Sequence, residues 1–346
     1  MENIKNEPIE LFQSYEKARP KLEAIQENEP PKKKRKTYSQ NWSVYTLCQE
    51  QEKLMVYKII NDVIDCLNFS QTYKGNGRPN VILKEIIKEL IIKQFNGFSS
   101  RRNKSELILV KGLGYINKEY HFTTLCKYLR KEELTPILHL IYKALADPLK
   151  PLENYFSTDA TGFSTFDKKR WVEIRLDLKE HKDYKKLHVV TGNLTNVITS
   201  VDVSEGTWHE SPYFKILLKD TAKRFNVKEI SADAGYLSRE NCNTANKLGV
   251  MPYIMPKKNV SARSKGSATW HRMIRLWKNN ESLFREHYHQ RSNVESTFSM
   301  IKRKFGTYLR SKNDTAKFNE ILLKVICHNA CVLSEALLSY DIKIDF

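Results

Sequence analysis

The hydrophobic pattern of this chain changes near residues 148–151, and this change constrains the fold more than any other feature. Before it, apolar residues recur at helical spacing from about Asn41 to Leu145. After it, three strand-like runs are followed by alternating helical and strand-like segments. The predicted strands are Tyr155–Thr161, Arg170–Leu178, Leu187–Asn193, Val197–Val203, Glu229–Ala232 and Val250–Met255, and the predicted helices are Pro212–Phe225 and Ser238–Leu248. This order predicts a mixed α/β sheet with flanking helices over residues 148–346.

The region before the change divides into two parts. Residues 1–40 are polar and basic, and they are predicted to form a mobile arm. Its run Pro31–Lys36 suits contacts with phosphates, or nuclear localisation if the host is eukaryotic. Residues 41–147 are predicted to be all-α, with a break at Gly75–Pro79.

The short helices of residues 41–147 suggest a helix-turn-helix-like domain, with a plain helical bundle as the alternative. Thr123 or Thr124 would cap the last short helix. Lys127 and Arg130 would then project from that helix, as DNA-contacting residues of a recognition helix do.

The overall charge indicates a polyanionic partner. The chain of 346 residues has a formal net charge of +18 and 40% hydrophobic residues, so it is predicted to be globular and to bind nucleic acid. A generally Lys-rich composition would explain part of this charge. No apolar run reaches the roughly 18 residues that a membrane span needs, which predicts no membrane partner. The six scattered cysteines predict reduced thiols in a cytosolic protein.

Three carboxylates stand out by their positions. Asp159 and Asp233 are each predicted to end a strand, and Glu295 lies on a predicted long helix. The spacings of three, four and seven residues between Tyr288, Arg291, Glu295 and Lys302 are read directly from the sequence. On a continuous helix these four positions fall within roughly 60° of one another. Each acid has an ordinary structural alternative as a turn former or a solvated charge, and Asp202 is the main competing candidate.

An Asp-Asp-Glu set suits phosphodiester chemistry. Such reactions commonly use two divalent ions about 4 Å apart, one at the attacking oxygen and one at the leaving oxygen. Mg²⁺ prefers hard carboxylate oxygens and retains bound water. We therefore predict that Asp159, Asp233 and Glu295 bind two Mg²⁺ ions, for which Mn²⁺ can substitute.

The motif Tyr288-x2-Arg291-x3-Glu295-x6-Lys302 resembles the YREK signature of insertion-sequence DDE transposases, the cut-and-paste enzymes of mobile DNA. Asp159 in Asp-Ala-Thr-Gly resembles the first acid of that family, and Asp233 in Ala-Asp-Ala-Gly-Tyr resembles the second. Segments Lys185–His188 and His209–Ser211 are also similar to family segments. The resemblance extends from about Asn41 to Leu338 and implies an RNase H-like catalytic domain.

The resemblance also implies an activity and the partners that it needs. The protein would bind the terminal inverted repeats in double-stranded DNA, cut with water as nucleophile, and join the freed 3′-hydroxyl to target DNA. Arg291 and Lys302 would neutralise DNA phosphates, and Tyr288 would bond a phosphate or stack on a base. A homodimer on DNA is expected, in a prokaryotic cytoplasm with the nucleoid, or in the nucleus of a eukaryotic host.

Two other functions remain as alternatives. One is an RNase H-like nuclease without strand transfer, and the other is a domesticated DNA-binding protein that has lost catalysis. Only 62 residues separate Asp233 from Glu295. This interval leaves no room for the large β-rich insertion with which some relatives form a DNA hairpin, so the resemblance does not extend to a hairpin pathway.

Overall fold

The computed structural model describes residues 41–67, 81–165, 184–257, 259–340 and 342. The predicted basic arm, the break at Gly75–Pro79 and the predicted strand Arg170–Leu178 lie outside the described residues. The chain forms two compact units, one of residues up to 126 together with those from 334, and one of residues 127–333. This division into compact units does not test the predicted domain boundaries, which remain predictions.

The first unit is helical, as the apolar spacing predicts. Its helices are α1 (Trp42–Cys66), α2 (Leu83–Asn96), α3 (Lys104–Gly112) and the start of α4 (Phe122–Leu129). Glu85 and Glu89 on α2 are buried and accept hydrogen bonds from backbone amides of the segment between α3 and α4. The side chains of Glu85 and Glu89 therefore hold that segment against α2.

The start of α4 differs from the prediction. The helix begins at Phe122, so neither Thr123 nor Thr124 is the residue that precedes it. His121 takes that place, and its Nδ1 lies 2.8 Å from Oγ1 of Thr123. The predicted threonine cap is wrong. The residue before the helix is His121, and its Nδ1 accepts from the backbone amide of Thr123 at 3.5 Å.

The second unit is built on a mixed sheet. Its described strands are β1 (Tyr155–Ser164), β2 (Tyr184–Gly192), β3 (Ile198–Glu205), β4 (Glu229–Ala232) and β5 (Met251–Ile254). They lie in the order β3-β2-β1-β4-β5, with β1, β2 and β3 antiparallel and β1, β4 and β5 parallel. The mixed α/β class is confirmed, and this arrangement of an antiparallel meander extended by parallel strands is RNase H-like.

Helices flank this sheet. They are α5 (Leu134–Ala146), α6 (Ser211–Ala222), α7 (Arg239–Lys247), α8 (Ala268–Asn279), α9 (Glu281–Tyr288), α10 (Ser292–Phe305) and α11 (Asp314–Ser339). Ser238 caps α7 by accepting from the amide of Asn241 at 3.0 Å.

Helix α11 contributes much of the core. By length and composition it alone among the described helices could cross a membrane, but 78% of its most apolar window is buried inside the protein. Its Asn329 accepts from the amide of Ile198 at 2.9 Å and donates to the carbonyl oxygens of Ile198 and Tyr142. Burial and these contacts indicate a core helix that ties β3 to α5. The six cysteines lie among the described residues and are not joined to one another by disulfide bonds.

The predicted long helix around Glu295 is interrupted. Helix α9 ends at Tyr288, a 3-10 turn spans His289–Arg291, and α10 begins at Ser292. The turn is held from β1, because Oγ of Ser157 donates to the Gln290 carbonyl oxygen at 3.1 Å. The angular estimate for a continuous helix therefore applies fully only from α10 onward.

Candidate active site

Asp159 and Asp233 occupy equivalent places on neighbouring parallel strands. The ladder between β1 and β4 ends at the pair Thr158 and Ala232, and the two aspartates are the next residues. The prediction that Asp159 ends its strand is wrong, since β1 continues to Ser164 by pairing with β2. Only the parallel pairing with β4 ends there, so Asp159 has no ladder partner on that side of β1.

The Asp233 carboxylate is fixed by its own turn. Its Oδ1 accepts from the backbone amide of Gly235 at 2.8 Å and caps the 3-10 turn Ala234–Tyr236. A β-carbon at residue 235 would lie 3.0 Å from that oxygen. Glycine at residue 235 thus allows its backbone amide to approach the Asp233 carboxylate closely.

The Asp159 carboxylate is held on both oxygens. Oδ1 accepts from the amide of Ala160 at 2.8 Å, and Oδ2 accepts from Nη2 of Arg291 at 2.7 Å. Burial raises the pKa of Asp159 to about 6, against the lowering effects of the Ala160 amide and the Arg291 guanidinium, and Asp233 and Glu210 raise it further. Burial is therefore the main reason why the ionised form of Asp159 is disfavoured in the absence of a further positive partner.

Glu210 is the third member of this cluster. Single carboxylate oxygens of Asp159, Glu210 and Asp233 all lie within 4.8 Å of one another. Glu210 directly precedes α6, and its Oε1 lies 3.1 Å from Nζ of Lys186 on β2. Sequence reasoning missed Glu210 as a site residue; the available signal was its place in a family-like segment, His209–Ser211.

Glu295 reaches the cluster through Arg291. Nη1 of Arg291 donates to Oε1 of Glu295 at 2.6 Å while Nη2 bonds Asp159. The Glu295 side chain is 58% exposed. Among the described residues Glu295 is not part of the group within 4.8 Å, so the structure brings two of the three predicted acids into direct proximity and links the third by a guanidinium.

Tyr288 and Lys302 are partly buried on either side of Glu295. Nζ of Lys302 donates to Oγ1 of Thr161 at 2.6 Å, and burial lowers its pKa. The ring of Tyr288 stacks on Phe284 with centroids 6.1 Å apart, and burial raises the pKa of its hydroxyl. Both residues therefore support the packing of α9 and α10 while they border the acidic site.

The remaining candidates lie elsewhere. Lys127, at the end of α4, and Arg130, just beyond it, are exposed. Asp202 on β3 accepts from the amide of Val203 at 2.8 Å and lines a groove with Lys143 and Asp220. It does not belong to the acidic group found among the described residues, so the structure disfavours the competing candidate.

The chemistry of this cluster fits a divalent metal ion. Its donors are hard carboxylate oxygens without cysteine or histidine, which suits Mg²⁺ or Mn²⁺ better than zinc. Burial, and to a smaller extent repulsion from Asp233 and Glu210, raises the pKa of Asp159, and a bound cation would favour the ionised carboxylate against both effects. The clustered carboxylates of Asp159, Glu210 and Asp233 are thus suitable ligands for such an ion.

Comparison with known proteins identifies the family. A family model described as the transposase DDE domain matches residues 152–330, which is more than half of the chain and contains all the acids above. No protein of curated function matches the sequence.

Three solved structures show weak similarity. The piggyBac transposase synaptic complex with hairpin DNA is 12% identical, with 84% of this chain and 74% of that chain covered and a TM-score of 0.40. The Drosophila P element transposase strand transfer complex is 14% identical, with coverage of 80% and 70% and a TM-score of 0.25. A pre-cleavage Mos1 transpososome is 12% identical over 100% of both chains, with a TM-score of 0.22.

At these TM-scores none of the three structures adds to the assignment, which rests on the family match. That match spans β1 to α11 and includes the clustered aspartates, Arg291 and Glu295. DDE transposase domains use divalent metal ions, in agreement with the donors of the cluster. The chain therefore belongs to the family of DDE transposases and is a DNA transposition enzyme.

Proposed function

We propose that this transposase binds the terminal inverted repeats of its element, cuts the DNA with water and joins the freed 3′-hydroxyl to target DNA. Asp159, Asp233 and Glu295 are its catalytic carboxylates. The observation that carries this proposal is the meeting of Asp159 and Asp233 at the end of the parallel ladder, with Glu295 tied to Asp159 by Arg291. The family match covers the segment that contains all three residues.

The three carboxylates would hold two Mg²⁺ ions. Such ions, when bound, stabilise the negative charge that develops on the attacking and leaving oxygens of a phosphodiester. The chain itself fixes the geometry, because the Gly235 and Ala160 amides orient the two aspartates before any ion binds. This preorganisation holds one aspartate on a strand and the other directly after a strand, rather than on free loops.

Basic residues beside the acids would position DNA. Arg291 lies between Asp159 and Glu295, so it is close to any phosphate that approaches the metal ligands. Lys302 is anchored on Thr161 of β1 and carries positive charge to the same edge. In our proposal both neutralise phosphates near the cut, Tyr288 contacts the adjacent nucleotide, and Lys127 and Arg130 contact the DNA ends.

A homodimer on DNA is part of the proposal, because two ends of one element must be joined in a single reaction. Light scattering of the protein with and without end DNA tests it directly. Two copies of the chain per pair of ends are expected, and a complex with one copy per end that never pairs would contradict the dimer.

The decisive experiment is excision and joining of a DNA fragment that carries the native flanks of the gene, with Mg²⁺ present. Wild type should cut at the flanks and join the ends, and Glu295→Gln should do neither. Glu281→Gln, an exposed glutamate on α9 paired with Arg285, is the matched control and should remain active. Cutting without joining by wild type would favour the nuclease, and binding without cutting would favour a DNA-binding relic.

Asp233→Asn tests the assignment of the second acid. We expect cleavage to fall at least about 100-fold, at the upper end of losses for groups that support a metal site, while DNA binding stays nearly intact. Retention of cleavage in this variant would remove Asp233 from the site.

A further inference from the structure

Glu210 lies inside the carboxylate cluster although it is not part of the Asp-Asp-Glu set. Its carboxylate and those of Asp159 and Asp233 place one oxygen each within 4.8 Å of the others. Glu295, in contrast, is engaged by Arg291 and largely exposed. The third acid in close contact with the two aspartates is thus Glu210, whereas the sequence motif predicts Glu295.

The Glu210 side chain is held in place. Nζ of Lys186 contacts its Oε1 at 3.1 Å and also donates to the carbonyl oxygen of Trp208 at 3.1 Å. Lys186 is on β2, a central strand of the sheet, and only 16% of its side chain is exposed. A carboxylate fixed from the sheet loses little further freedom when it binds a ligand.

A second, independent observation points to a ligand at this cluster. Tyr236, in the turn that follows Asp233, is fully buried, and its hydroxyl finds no hydrogen-bond partner among the described residues. The hydroxyl lies near enough to Glu210, Asp159 and Asp233 that, besides burial, their charges raise its pKa. A buried hydroxyl normally has a partner, and a hydrated cation among these carboxylates would supply one.

We propose that Glu210 is a metal-binding residue of this transposase, which with Asp159 and Asp233 binds one divalent cation. Asp159 then binds both the cation and Arg291, which also pairs with Glu295. The site holds four acids rather than three, and Lys186 balances the charge of Glu210 while the metal is absent. This inference rests on the proposed metal-dependent function and extends it.

Titration with Mn²⁺ tests the proposal without any catalytic readout. The free Mn²⁺ signal is followed by electron paramagnetic resonance with the full chain, stripped of metal, in the absence of DNA. We expect Glu210→Gln to weaken Mn²⁺ binding at least about tenfold, since even groups outside the ligand sphere of a metal site are worth that much. The control Glu281→Gln removes one carboxylate at an exposed position and should leave binding unchanged.

A conservative variant separates ligation from general electrostatics. Glu210→Asp keeps the charge but shortens the side chain by one methylene, so it should also weaken Mn²⁺ binding. Circular dichroism confirms that each variant is folded, and wild-type affinity in Glu210→Asp together with Glu210→Gln would overturn the proposal.

Asp159→Asn and Asp233→Asn separate this inference from the proposed function. If both weaken Mn²⁺ binding while the Glu210 variants do not, Glu210 is not a ligand and the metal site stands. If none of these variants weakens it, the metal site itself is wrong. If all weaken it, Glu210 belongs to the site.

Discussion

Arg291 bonds the Asp159 carboxylate at 2.7 Å, and it does so from a 3-10 turn that is itself anchored on β1. The other arm of the same guanidinium holds Glu295 at 2.6 Å. Only 19% of the Arg291 side chain is exposed, so its charge lies within the acidic site rather than on the open surface. In the metal-free protein this guanidinium compensates part of the charge that a cation would compensate.

Removal of this guanidinium should destabilise the metal-free protein. We expect Arg291→Gln to lower the free energy of unfolding by about 1–3 kcal/mol in EDTA, since partly buried carboxylates lose their ionic partner. The loss of unfolding free energy should be smaller when Mn²⁺ is added, because the bound cation then neutralises the carboxylates in place of Arg291. Urea unfolding with EDTA and with Mn²⁺ measures both values.

The matched control for Arg291 is Arg285→Gln, which breaks an exposed pair with Glu281 on α9. Such a pair contributes only about 0.2–0.5 kcal/mol, and Mn²⁺ should not alter its loss. An equal destabilisation of Arg291→Gln with and without Mn²⁺ would contradict the compensating role.

The strands that carry the site were predictable because their pattern is local. Alternation and turn residues locate β1 to β5 closely, and Glu229–Ala232 agrees residue for residue. The pairing of β1 with β4, which brings Asp159 beside Asp233, joins segments more than 70 residues apart in the sequence. No periodicity encodes that contact, and the family motif supplied it.

Glu210 shows where sequence reasoning ends. Its neighbours are Asp159 on β1, Asp233 after β4 and Lys186 on β2. Its role therefore depends on tertiary contacts with three separate segments of the chain. A glutamate before a helix has the same local pattern whether it caps the helix or faces a metal ion. The interruption between α9 and α10 was hidden for a similar reason, since it depends on the Ser157 contact.

Lys127 and Arg130 should contribute to DNA affinity through phosphates. For the double variant Lys127→Gln, Arg130→Gln we expect weaker binding to DNA ends, and a slope of log K against log salt that is smaller by about 2. Fluorescence anisotropy with end DNA over a range of salt concentrations measures both quantities.

The control for this pair carries the same change in charge. Lys215→Gln, Arg285→Gln removes two exposed basic residues that are already paired with Glu240 and Glu281. It should change the slope less than the Lys127 and Arg130 variant does. An unchanged slope in the Lys127 and Arg130 variant would exclude these residues from the DNA contact.

Lys324 should be essential for the end of the helix that carries Glu295. It lies on α11 with 1% exposure, and its Nζ donates to the carbonyl oxygens of Phe305, Gly306 and Tyr308. These include the C-terminal carbonyls of α10, which have no partner within the helix. Lys324→Met should therefore lower the free energy of unfolding by about 3 kcal/mol or more, as expected when buried polar groups lose their donor.

Chemical denaturation of Lys324→Met beside Lys312→Met checks this expectation. Lys312 is exposed in the segment before α11, so its replacement should change stability by less than about 0.5 kcal/mol. Similar stabilities for the two variants would mean that water satisfies the α10 carbonyls equally well.

Glu89 should make the stability of the protein depend on pH. It is fully buried on α2, and burial raises its pKa from 4.5 to about 8 although the Tyr120 amide opposes the shift. Below pH 4.5 both folded and unfolded chains carry the proton. Between about 4.5 and 8 the folded protein keeps a proton that the unfolded chain has released, so stability falls as pH rises through this range.

Urea unfolding of wild type and Glu89→Gln between pH 5 and 9 measures this dependence. Glutamine can still accept from the Tyr120 amide but does not ionise, so wild type should lose stability relative to the variant by up to about 1.4 kcal/mol per pH unit. The difference should level off above the pKa of about 8, where Glu89 is ionised in both states. A difference between the two proteins that stays constant with pH would show that the folded protein ionises Glu89 as readily as the unfolded chain does.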